Sequence, residues 1–192
     1  MKQKIRTFVA VEMDAAVREM AAELSRELAS AGADVKWVDA ENMHLTLKFL
    51  GEVDSREVHE VCRAVESAAA SQAPFRLDLC GAGAFPTIHR PRTLWLGCGP
   101  GSEPLAALAE RIEAELHKLG YPREGRRFHP HLTLGRIRRG KAGLARLAEL
   151  LAEHADFEAG RSRVDEVVVF SSQLDRGGPT YNPLGRAKLR GS

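Results

Sequence analysis

The chain has 192 residues, 44% hydrophobic and 28% charged, enough to bury a substantial core without a low-complexity tract or a Pro/Gly/Ser linker to divide it. Its formal net charge is +2 with a pI near 8.5, which excludes a generic DNA-coating protein but not a local basic rim. Three cysteines, Cys62, Cys80 and Cys98, are odd in number and lack C-x-x-C spacing, which speaks against a disulfide framework or a zinc cluster and for a reducing compartment, expected to be the cytoplasm.

The first apolar run, Thr7, Phe8, Val9, Ala10, Val11, reads as a strand. It closes at Glu12, too short for a signal peptide or a membrane span. A helix is expected over residues 14–30, with Asp14 to cap it and Gly32 to end it. Next comes His44, Leu45, Thr46, Leu47. In a strand, residues at i and i+2 share a face, so this segment displays an imidazole and a hydroxyl together while the leucines face a core. Asp54 and Glu57 then have capping-box spacing ahead of a helix to about Ser71, and residues 75–80 read as another strand.

The series then repeats. Thr93, Leu94, Trp95, Leu96, Gly97 is a second apolar run, followed by a helix over 104–119 with Ser102 and Pro104 at its start and Gly120 at its end. His131, Leu132, Thr133, Leu134 duplicates the tetrapeptide at an offset of 87, which also carries Phe8 onto Trp95. A helix over 142–154 and a strand over 157–163 complete the copy. The expected order is strand, helix, motif strand, helix, strand, twice over. Residues 81–91 and 120–130 are expected to form long loops bordering the site, where substrate contacts are often carried.

A single His-x-Thr on a strand is ordinarily structural. Two copies are a different matter, because histidine titrates near neutrality and one imidazole can act as base while another acts as acid. Such a pair can displace a group at phosphorus, each role contributing about 10²–10⁴-fold. The threonine hydroxyls can donate to non-bridging phosphate oxygens as charge builds on them. No H-E-x-x-H, D-x-D or C-x-x-C is present, so a site without metal or other cofactor is expected. Arg123, Arg126, Arg127, Arg136, Arg138, Arg139 and Lys141 cluster about the second motif, either as a solvated strand end or as phosphate recruiters. Arg136 is the nearest candidate, although strict alternation points its side chain away from His131. Phe49 could stack on a nucleobase or pack in the core. Trp37, Trp95 and Tyr181 are expected to pack, and His59, His89, His117 and His154 to lie at the surface. His129 competes with His131 by position alone.

These motifs, with Arg6–Val11, Lys36, Trp37, Val38, Asn42, Met43, Lys48–Gly51, Arg92–Gly97, Phe128–Arg136 and the closing Ser171, Leu174, Gly178, Pro179, Tyr181 and Leu184, resemble the 2H phosphoesterases, and within them the RNA 2′,3′-cyclic phosphodiesterase or 2′-5′ RNA ligase family. The resemblance spans nearly the whole chain. It implies an α+β fold of two intertwined, pseudo-twofold lobes forming one domain over 1–192, with two antiparallel sheets lining a central cleft and helices outside. It further implies opening of a terminal 2′,3′-cyclic phosphate on RNA, or on a small cyclic nucleotide, to a 2′-phosphomonoester. His44 would be the proton donor, His131 the proton acceptor, and Thr46 and Thr133 the phosphate ligands. The same site could perform 2′-5′ ligation, and a third possibility is a non-catalytic module that binds RNA ends. A monomer that does not engage membranes is expected.

Overall fold

A computed structural model describes residues 3–175 and 178–191. Its elements run β1 (Lys4–Glu12), α1 (Ala15–Ala29), β2 (Val35–Trp37), a 3₁₀ turn (Ala40–Asn42), β3 (His44–Asp54), α2 (Val58–Ala70), β4 (Phe75–Thr87), β5 (Arg90–Cys98), α3 (Ser102–Lys118), β6 (His131–Ile137), α4 (Leu144–Glu153), β7 (Glu158–Val164), β8 (Glu166–Asp175) and β9 (Gly178–Lys188). The duplicated order expected from the sequence is present, with β8 and β9 appended as a hairpin.

The strands form two antiparallel sheets, ordered β3-β1-β8-β9 and β2-β6-β5-β4-β7. In each, the motif strand lies beside the strand that opens its half. The halves exchange elements: β2 and β4, from the first half, pair with strands of the second. α1 follows β1 but packs on β6, β7 and α4, while α3 follows β5 but packs on β3 and α2. One continuous apolar core results, joining Val9, Val11, Leu45 and Leu47 of the first sheet to Leu94, Leu96, Leu132 and Leu134 of the second beneath the amphipathic faces of the helices. The opposite face of the first sheet carries a smaller cluster, Phe8, Ala10, Val168 and Phe170, with Tyr181 against it.

Three local expectations are corrected. Residues 81–91 are not a long loop: β4 and β5 continue through them as a hairpin. Their glycines obscured the strand, but Gly83 is there because Trp95 lies over it, an added Cβ falling 2.3 Å from Trp95 Cη2. The capping box does not form, because Asp54 still belongs to β3 and its carboxylate is taken by the Arg56 backbone N–H and guanidinium. Asp14 occupies the N-cap position of α1, yet its carboxylate accepts from the Arg163 N–H and so ties α1 to β7. Gly32 and Gly120, both at positive φ, do stop their helices, and residues 120–130 do form a loop.

Candidate active site

His44, Thr46, His131 and Thr133 are all half-buried, and the leucines between them are buried in the core. Each motif strand is then bulged just beyond its threonine. On β3, Ala10 opposes Thr46 but Val9 opposes Lys48, leaving Leu47 as the extra residue; on β6, Trp95 opposes Thr133 but Leu94 opposes Gly135, leaving Leu134. An extra residue reverses the alternation of faces beyond it. Phe49 and Arg136 are thereby turned onto the histidine face, where both line the cleft. The expectation that Arg136 points away from His131 assumed unbroken alternation and is overturned. The pairing also corrects the repeat: the threonines are opposed by Ala10 and Trp95, an offset of 85 rather than 87, so Phe8 corresponds to Thr93. A shift of two keeps every side chain on its face, and hydrophobic pattern alone does not expose it.

The two imidazoles are held in the same way. His44 Nδ1 lies 2.8 Å from the Asn42 carbonyl oxygen, and His131 Nδ1 lies 2.7 Å from that of His129. A carbonyl only accepts, so each Nδ1 carries the hydrogen and each neutral ring leaves Nε2 as its basic nitrogen. Their surroundings differ. His44 stacks on Phe8 with centroids 4.8 Å apart, and Tyr181 meets it edge-on at 5.0 Å. Phe85 meets His131 edge-on at 5.0 Å. Burial is the main cause that lowers both pKa values below that of a free imidazole. The neighbouring charges then act oppositely: Glu12, paired with His44 across the β1–β3 ladder, pulls His44 up, while His129 and Arg136 push His131 further down. Identical tetrapeptides thus sit in unequal fields.

A cleft of about 670 Å³ opens between the sheets. His44, Thr46, Phe49, Arg6 and Tyr181 line it from the first, and Thr133 and Arg136 from the second. His131 is not part of that lining; it stands two residues along β6 from Thr133, on the same face. Phe49 is 57% exposed, which rules out a core role. Tyr181, expected to pack, faces the cleft, and Arg6 and Asn42 were not recognised as site residues. Asn42 fixes His44 through its carbonyl and its side-chain amide donates to Pro179 O at 3.4 Å. Arg6 had a readable signal, since it shares a strand face with Phe8. Tyr181 had none, because its approach depends on β9 docking on β8 across the sheet. His129 is exposed beside His131, and His154 is half-buried, with Nε2 2.6 Å from Glu27. Among the described residues, no group of three or more His, Cys, Asp or Glu side chains is placed to hold a metal ion, and no helix is long and apolar enough to cross a membrane.

Paired imidazoles and hydroxyls on two adjoining sheets, with guanidinium groups in the cleft between them, define a protein equipped for proton transfer at an anionic group. Comparison with known proteins places it more narrowly. Residues 14–176 match the model of the 2′-5′ RNA ligase superfamily, and the chain belongs to that family. It is 36% identical over 181 residues to a Methanothermobacter thermautotrophicus protein named RNA 2′,3′-cyclic phosphodiesterase, covering 94% of this chain and 97% of the relative. Among solved structures, a Thermus thermophilus protein matches with a TM-score of 0.80 at 28% identity, and Escherichia coli LigT complexed with 3′-AMP matches with 0.78 at 27%. Each alignment covers 97% of this chain and 99% of the other.

Proposed function

We propose that this protein hydrolyses the terminal 2′,3′-cyclic phosphate of RNA to a 2′-phosphomonoester, by acid–base catalysis between two histidines and without a metal or other cofactor. The reading is supported by relatives named for this activity and by the 3′-AMP complex of LigT. The observation that carries it is the shared orientation of His44 and His131, each committing Nδ1–H to a backbone carbonyl and leaving Nε2 for the substrate.

The steps follow from the fields. His131, beside Arg136 and His129, is biased toward its neutral form and takes a proton from water at Nε2 as the water oxygen bonds to phosphorus. The P–O3′ bond breaks on the opposite side, and His44, drawn toward protonation by Glu12, supplies a proton from Nε2 to O3′. The proton inventory closes when the two rings re-equilibrate with solvent. Thr46 and Thr133 donate to the non-bridging oxygens, and Arg136 adds a cation beside them. Phe49, exposed at the rim, offers a stacking face to the terminal base.

Replacing O3′ by sulfur tests the assignment, because a thiolate departs without a proton. His44→Ala and His131→Ala should each lose about 10²–10⁴-fold in kcat/KM on the oxygen substrate. With the 3′-thio cyclic substrate, His44→Ala should recover most of its loss and His131→Ala should not. Recovery by His131→Ala alone would exchange the roles, and full activity in both variants would remove the histidines from catalysis.

A further inference from the structure

A second cavity, of about 620 Å³, lies on the other side of His131 and is left unused by cyclic phosphate hydrolysis. The order along the chain makes the placement plain. Residues 127–130 line this cavity, His131 follows, and Thr133 and Arg136 then line the catalytic cleft. On the neighbouring strand, Gly97 opposes His131 and Trp95 opposes Thr133, and both line the second cavity. His131 therefore stands between two chambers, with its donor counterpart His44 in only one of them.

We propose that the second cavity is the acceptor subsite for the 5′-hydroxyl end of an RNA, whose terminal ribose O5′ replaces water as the nucleophile. The inference rests on the assignment of His131 as base. In an in-line displacement the nucleophile enters opposite O3′, so any group attached to it extends past His131, away from His44. Water leaves that space to solvent, whereas a nucleoside would fill it. The lining suits one: Trp95, Phe128 and His129 present aromatic surface, and Arg127 supplies a cation for the next phosphodiester. The Trp95 indole N–H is shielded from solvent and has no hydrogen-bond partner among the described residues. Such a donor is costly to leave unpaired and can be satisfied by a bound base or ribose. Cys80 and Cys98 also line the cavity, but burial raises both thiols, Cys98 to about 12, so they form inert walls at neutral pH. The reaction balances without a co-reactant. An O5′–P bond forms, the O5′ proton passes to His131, the P–O3′ bond breaks, and O3′ takes a proton from His44 to leave a 2′–5′ phosphodiester.

The test is equilibrium dialysis of radiolabelled ApA, which carries a 5′-hydroxyl, against the protein with its catalytic cleft saturated by adenosine 2′-phosphate. Saturable binding is expected, weakened about tenfold or more by Ala106→Trp or Ser102→Phe, substitutions that narrow the second cavity from α3. With a cyclic-phosphate donor and ApA present together, the ratio of ligated to hydrolysed product should fall in parallel. Retention of binding by both variants while their circular dichroism is unchanged would overturn the proposal, as would the absence of saturable binding in the unaltered protein. Dialysis does not depend on turnover, so loss of all hydrolysis would count against the catalytic assignment and leave the cavity to be judged by binding.

Discussion

Glu12 is the residue that most distinguishes two otherwise identical tetrapeptides. It is paired with His44 across the β1–β3 ladder and held there by Arg186 at 2.8 Å, and its charge favours the imidazolium. At His131 the nearby charges are positive and favour the neutral ring. An acid and a base with pKa values both lowered by burial should give a bell-shaped kcat/KM profile whose limbs lie to the acid side of those expected from free imidazoles. Glu12→Gln removes an influence that raises His44, so the alkaline limb, where the acid loses its proton, should move to lower pH while the acid limb stays in place. Movement of the acid limb instead would assign His44 as the base. The same shifts bear on stability: a ring that is harder to protonate when folded contributes fully above about pH 6.5 and loses that contribution as pH falls toward the folded value.

At the scale of elements, Lys48 fastens the first motif strand to the approach of the second. It follows Leu47 at the bulge and is 5% exposed, with Nζ 2.8 Å from Glu113 of α3 and 2.8 Å from Pro122 O in the loop that leads to His131. Its counterpart after the second motif is Gly135, packed closely against Val35 and Trp37 of β2. Lys48→Met keeps the stem and deletes the charge, leaving Glu113 and the Pro122 carbonyl unpaired. A fully buried pair loses about 3–5 kcal/mol on such a break, and partial exposure of Glu113 should reduce this to about 1–3 kcal/mol, read as a lower urea midpoint. The elements themselves were largely legible, because apolar alternation and helix stops are local signals. The bulges at Leu47 and Leu134 were not, since a bulge is defined by the partner strand and leaves no mark in its own sequence. For that reason Phe49 stood undecided between stacking and packing, and Arg136 was assigned to the wrong face.

In the whole molecule, duplication supplies two half-sites and exchange of elements brings them together. β2 and β4 pair with strands of the second half, α1 packs against the second sheet and α3 against the first, and the motif strands β3 and β6 come into contact. The sequence made the duplication visible through two His-Leu-Thr-Leu segments. It could not show which chamber each histidine faces, because that depends on the packing of one sheet against the other. The geometry assigns unequal tasks to equal motifs, and the bond that breaks records which task each performs. The most direct measurement is phosphorus NMR of the product formed from an RNA ending in a 2′,3′-cyclic phosphate, incubated with the protein in chelator. A single 2′-phosphomonoester is the result expected from proton donation to O3′; a 3′-phosphomonoester, or turnover only after a divalent metal is restored, would contradict it.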